Sequence, residues 1–186
     1  DQSVHVITRK QADGISFDRM FAGVDWGWEH WGAIVMIGVK DNSYYIIEEH
    51  AAQHKYIDGW KAVAKDIIRR FGNIPFYCDP ARPEHIAAFQ ADGINAFPGN
   101  NRVLSGIEAI ATLMKNKMFF IVYDECPRFR EEIYKYIWKK NTGEPLKEND
   151  DVLCAIRYGI YSDLVVNGNT DMAENIKKAK MIKGLI

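Results

Sequence analysis

Three β-prone runs, at residues 20–25, 32–39 and 44–49, follow one another with no helix-sized stretch between them. Neighbouring parallel strands need a crossover of a dozen or more residues, so strands this close in sequence are expected to form an antiparallel meander. The residue types of Asp41-Asn42-Ser43 favour a tight turn between the second and third runs. From there the pattern changes period. Ile57, Trp60, Val63, Ala64, Ile67, Ile68 and Phe71 recur at helical spacing, and Gly72 is a stop signal. A strand is expected over 74–79, a helix over 83–90 with Pro83 in its first turn, and a strand over 94–97. A helix over 105–114, a strand over 118–123, and helices over 126–140 and 150–165 follow, the last two separated by a loop at 141–145. The fold class is therefore α/β: a mixed central sheet with an antiparallel three-strand meander, flanked by helices.

The chain has 186 residues, 47% of them hydrophobic, which suits one domain with a substantial core. Residues 19–166 carry the periodic pattern. Residues 1–18 lack periodicity and are expected to be a linker or an arm from a preceding domain. Residues 167–186 form a polar, then basic, tail. The chain opens on Asp1-Gln2-Ser3-Val4 without an initiator Met, so an excised piece of a longer polypeptide is expected. No apolar run approaches the roughly 20 residues that span a bilayer, and no membrane partner is expected. Cys78, Cys126 and Cys154 have no metal-ligand spacing and suit reduced thiols in a cytosol-like compartment. A net charge of −1 lacks the strong basicity of many nucleic-acid binders. Residues 102–147 hold nine basic and six acidic side chains, a surplus that a solvated helix face explains equally well.

The chemistry-bearing residues are acids at element ends. Asp25 closes the apolar run Phe21-Ala22-Gly23-Val24, Asp79 closes Pro75-Phe76-Tyr77-Cys78, and Asp150-Asp151 opens the last helix. Singly, each has a plainer job: Asp25 and Asp79 as turn acids, Asp150 or Asp151 as an N-cap. Together they suit a metal centre. Phosphodiester hydrolysis needs an activated water and compensation for charge on the phosphate oxygens, which two divalent ions about 3.5–4 Å apart supply. Mg2+ and Mn2+ are hard ions that prefer carboxylate oxygens, so acids on separate elements make the simplest site.

The order of elements is similar to that of the ribonuclease H-like fold. The chain resembles the C-terminal nuclease domain of the large terminase subunit of tailed double-stranded DNA bacteriophages. The resemblance lies in Gly23-Val24-Asp25-Trp26-Gly27, Cys78-Asp79-Pro80-Ala81-Arg82-Pro83-Glu84, Val103-Leu104-Ser105-Gly106-Ile107-Glu108, and Asn149-Asp150-Asp151 running into Ala155-Ile156-Arg157-Tyr158. It implies an endonuclease that cuts concatemeric viral DNA in the host cytoplasm with two Mg2+ or Mn2+ ions. Asp25, Asp79 and Asp151, with Asp150 assisting, would be the catalytic and metal-holding residues. Double-stranded DNA, an N-terminal ATPase domain, the portal protein and the small terminase subunit are the implied partners. One position departs from the family pattern: Asp151 stands where a His is usual and Cys154 where the last Asp is usual. Cys154 follows Asp151 by three residues and Asp150 by four, so all three can share one helical face. That departure keeps a docking module with a decayed metal site open as an alternative, beside a junction resolvase or transposase core.

Other residues have plainer roles beside a functional one. Trp26, Trp28 and Trp31 suit packing or a flank for DNA, and His30 and His85 suit surface or satisfied histidines. Arg82 is a phosphate contact or a salt-bridge partner. Glu48-Glu49 is a solvated strand end or a fourth ligand, and Lys115 and Lys117 are phosphate contacts only if their helix lines the groove.

Overall fold

The computed structural model describes residues 2–135 and 150–167; the end of the helix expected over 126–140, the loop at 141–145 and the tail beyond 167 lie outside the described residues. In chain order the elements are α1 (Gln2–His5), β1 (Val6–Ile7), α2 (Arg9–Asp13), β2 (Arg19–Asp25), β3 (Gly32–Lys40), β4 (Ser43–Ala52), α3 (Ile57–Phe71) and β5 (Phe76–Cys78). Next come α4 (Pro83–Ala91), β6 (Ala96–Pro98), α5 (Val103–Lys115), β7 (Phe119–Val122), a 3-10 turn at Tyr123–Glu125, α6 (Pro127–Lys135) and α7 (Asp151–Val166).

Seven strands form one sheet in the order β1-β7-β4-β3-β2-β5-β6. The β2–β3–β4 meander is antiparallel, as expected, while β5 and β6 extend it beside β2, and β7 and β1 beside β4, all in parallel. The β3–β4 turn has both central residues at positive φ, Asp41 at 48° and Asn42 at 61°. This is the backbone twist that two-residue hairpins favour, and Asp and Asn tolerate it. Residues 1–18, which show no periodicity in sequence, supply the edge strand β1 and the helix α2, started by a capping box between Thr8 and Gln11.

Both faces of the sheet are covered, so β3 is buried on each side and its sequence runs apolar without alternation. Val35, Ile37 and Val39 pack with Phe21, Tyr77, Ala109, Phe129 and Ile156 on the face of α5, α6 and α7. Ile34 and Met36 pack with Val24, Trp60, Ile67, Phe76 and Phe89 on the face of α3 and α4. A register irregularity opposite Met36 and Ile37 makes a bulge in β4, beyond which Glu49 and Ala51 face the α6 side.

α7 crosses β2 at backbone contact distance. A methyl group on Gly23 would lie 1.9 Å from the carbonyl oxygen of Ala155, and Gly159 sits over the same spot. The far end of α7 is tied down by Asp163, which accepts from Arg19 Nε at 2.8 Å, Arg19 Nη2 at 2.6 Å and the Tyr44 hydroxyl at 2.8 Å. On the other side of the sheet Glu48, 6% exposed, accepts from Arg70 and His50. Burial opposes its ionisation, but the hydrogen bonds from Arg70 and His50 outweigh it and lower its pKa to about 2.

Two outcomes follow for stability. Gly23→Ala forces a methyl into the Ala155 carbonyl and is expected to cost about 3 kcal/mol in a urea titration. Glu48 binds its proton less tightly folded than unfolded, so its contribution of about 3 kcal/mol is complete above pH ~4.5 and lost as pH falls toward 2. Glu48→Gln should flatten the pH dependence of stability over that range.

Candidate active site

The sheet delivers two acids to one point. Val24 and Cys78 are the last paired residues of β2 and β5, and the Asp79 N–H donates to the Val24 carbonyl at 2.8 Å. The next residues on the two strands are Asp25 and Asp79. Side chains alternate along a strand, so Asp25 shares the face of Phe21 and Asp79 that of Tyr77, both facing α7. This is the carboxyl end of the parallel strands, where open α/β sheets place their ligands.

α7 brings the other two. It runs against β2, so its first turn, with Asp150 and Asp151, lies at the same end as Asp25. The proximity is written in the electrostatics of Asp25. Burial and the negative charges of Asp79, Asp151 and Asp150 push its pKa well above the usual carboxylate range, against the pull of Arg157. No hydrogen bond among the described residues ends on its carboxylate. Asp151 is also raised, by burial and by Asp150, and is eased by Arg128 and His30. Asp79, 9% exposed, is held by the Tyr158 hydroxyl at 3.1 Å and the Ala81 N–H at 3.0 Å, both on Oδ1.

Hard oxygen donors and mutual repulsion are what a divalent cation would relieve, so the donor set fits Mg2+ or Mn2+. Among the described residues, however, no three acid, histidine or cysteine side chains meet in an arrangement that holds an ion. Cys154 points into the same region: its thiol donates to Asp150 at 3.6 Å, and burial and Asp25 push its pKa up, keeping it protonated. Arg157 is buried beside it, stacked over the Tyr158 ring at 4.4 Å, and its Nη1 has no hydrogen-bond partner among the described residues.

Several residues have firmer roles than sequence assigned them. Asp150 occupies the N-cap position of α7 yet makes no capping bond. Glu132 of α6, unremarked in sequence, does that work: its Oε2 accepts the Val152 N–H at 2.9 Å and the Leu153 N–H at 3.1 Å. Its only sequence signal is its spacing, three residues after Phe129 on an otherwise apolar face. Burial and Asp151 raise its pKa to about 7, against the Leu153 N–H and Arg128. Glu49 is half-buried, and its carboxylate is committed to capping α6 through the N–H groups of Arg128 and Phe129. Trp26 packs edge-on against His85 and Phe89 and donates to the Asp79 carbonyl at 3.2 Å, bracing the second acid. Trp28 clusters with His54 and Tyr56 at the surface, and Trp31 lies under Arg128. Arg82 pairs with Glu84 at 3.6 Å on the surface. Lys115 and Lys117 lie beside the start of β7, at the opposite end of the sheet from the acids.

A mixed sheet of this order, with strand-end acids facing the last described helix, defines a ribonuclease H-like domain. The chain belongs to the terminase RNaseH-like domain family, whose model matches residues 22–162. Among solved structures it is similar to the large terminase of a thermophilic bacteriophage, solved in complex with ATP-gamma-S, with a TM-score of 0.75 at 23% identity over 88% of this chain and 44% of that one. It is similar to the P22 large terminase nuclease domain, with a TM-score of 0.71 at 22% identity over 87% and 88% of the two chains. The nuclease domain of the bacteriophage SPP1 large terminase, solved with bound Mn, gives 0.63 at 21% over 86% and 96%. The chain thus spans less than half of the thermophilic bacteriophage's terminase. No match is found among curated proteins.

Proposed function

We propose that this domain is a divalent-metal-dependent endonuclease that cuts concatemeric double-stranded viral DNA during genome packaging. The carrying observation is that Asp25 and Asp79 close the neighbouring strands β2 and β5 on the face of α7, whose start carries Asp150 and Asp151, and that the charges of all three neighbours act on Asp25. Family membership and the fold shared with the Mn-bound SPP1 nuclease domain support it. In this reading Asp25, Asp79 and Asp151, with Asp150 assisting, would together hold two ions of Mg2+ or Mn2+. When bound, such ions activate water and offset the charge that develops on the phosphate. The protein contributes orientation: Tyr158 and the Ala81 N–H hold one oxygen of Asp79, and Arg157 tempers the charge of the cluster. The nuclease unit takes in the segment before residue 19, because β1 and α2 belong to the same sheet and its cover, and an ATPase domain would be a further part of the full-length protein. The portal protein and the small terminase subunit are partners of the full-length protein in the host cytoplasm, and no described helix is long and apolar enough to cross a membrane.

A docking module without catalysis is the second reading, favoured by Cys154 and by the open arrangement of the acids. Calorimetric titration with Mn2+ separates the two, since a decayed site binds the ion weakly or not at all.

Asp25→Asn and Asp79→Asn are expected to abolish Mn2+-dependent plasmid cleavage with circular dichroism unchanged. Full activity in either variant would refute the assignment. Because the folded-state pKa of Asp25 is raised, its ionised form burdens the metal-free fold, and the burden grows as pH rises through that pKa. Asp25→Asn should therefore melt higher than wild type at pH 7 without metal, even as it loses activity. Cys154→Ala should be mild in both assays.

A further inference from the structure

We infer that Glu132 is a positioning residue for the acid pair that opens α7, acting through the backbone of that helix. This rests on the metal-site reading above. The first N–H groups of a helix have no partner within it, and an Asp at the N-cap usually supplies one. An aspartate that caps its own helix directs an oxygen at the backbone and cannot offer it to an ion. Here Asp150 makes no capping bond, because Glu132 reaches across from α6 and takes the N–H groups of Val152 and Leu153. Asp150 is thereby released from capping, and its Oδ2 accepts from the Cys154 thiol at 3.6 Å instead. The arrangement would serve the site even if the helix needed no extra stability.

Glu132 is itself held. Its side chain is 0% exposed, and its Oε1 accepts from Arg128 Nε at 3.0 Å. α6 is fixed in turn by Glu49 on β4, whose oxygens accept the N–H groups of Arg128 and Phe129. The register of the sheet thus passes through two carboxylate caps in series to the first turn of α7. The Arg128 guanidinium also lies 4.7 Å from the centroid of Trp31, in the loop that follows Asp25. One set of contacts therefore braces the cluster from the helix side and from the strand side.

The test compares the full chain with Glu132→Met, which fills a similar volume without an acceptor, and Glu132→Gln, which keeps a carbonyl oxygen for the two N–H groups. Ile67→Ala, in the core on the other face, serves as a control for lost stability. In metal-free protein, Glu132→Met should speed hydrogen exchange at the Val152 and Leu153 amides relative to wild type and control. It should weaken Mn2+ binding about tenfold, the scale on which groups behind metal ligands act. It should also lower kcat on plasmid DNA with KM unchanged, and Glu132→Gln should restore most of the loss in each readout. An unaltered Mn2+ affinity in Glu132→Met, in a wild type that does bind the ion, overturns the positioning role alone. So does a Glu132→Gln variant as impaired as Glu132→Met. A wild-type protein that binds no Mn2+ overturns the metal-site reading, and the positioning role with it.

Discussion

The arrangement depends on one contact in which two backbones touch. Gly23 on β2 and Gly159 on α7 leave no side chain between strand and helix, and the Ala155 carbonyl fills the space where a Cβ would be. A helix lying this close to a sheet is fixed in height, and the remaining contacts set its slide and tilt. Asp163 anchors its far end to Arg19 and Tyr44, and Glu132 anchors its near end. With three points fixed, Asp151 has little freedom except in its own side-chain torsions. The strand-end acids are equally constrained, since Asp25 is the last residue of a strand paired on both edges.

The acids in and behind this region divide by whether the fold satisfies them. Glu48, Glu49, Asp163 and Glu132 each accept at least two hydrogen bonds from charged side chains or helix starts, and they bind elements together. Asp25 has no such donor among the described residues and is surrounded by like charge. Burying a carboxylate among carboxylates costs stability, and ordinary selection for a tight fold would remove it. Its presence at the end of two parallel strands is therefore an argument about ligand rather than about folding. The same physics makes the apolar layers around it demanding, because they must offset the repulsion when no cation is bound.

The sequence made the local features legible. An apolar run ending in Asp marks a strand tip whatever its neighbours, and the meander follows from connections too short for a crossover. Asp41-Asn42 carried its own turn chemistry. Features that depend on distant partners were hidden. β1 is two residues long and becomes a strand by pairing with β7, more than a hundred residues away, so no periodicity announces it. Glu49 faces α6 rather than solvent because of a bulge that leaves no mark in residue type. Glu132 and Asp150 exchange roles for a similar reason: capping preference identifies a residue able to cap, not one that another helix has already displaced. Gly23 and Gly159 carried no turn signal, and their purpose is visible only where the two backbones meet.

Cys154 stands where the pattern that the sequence resembles would carry an acid, and the charge around it bears on what the thiol does there. Its thiol is protonated, so it enters the cluster as a neutral donor to Asp150 rather than as a soft anionic ligand. The pattern the chain resembles carries an acid, a histidine and a second acid one turn later; here Asp150 and Asp151 are adjacent and the later position is neutral. The number of carboxylates offered by α7 is the same, moved toward the helix start. Asp25 already bears the repulsion of three neighbours, and a further carboxylate at 154 would add to it where burial leaves little screening. The shift also moves the acids to the positive end of the helix dipole, where anions are stabilised. Releasing Asp150 from capping is what lets that shortened spacing present two acids instead of one, which ties the Cys154 departure to the contact made by Glu132.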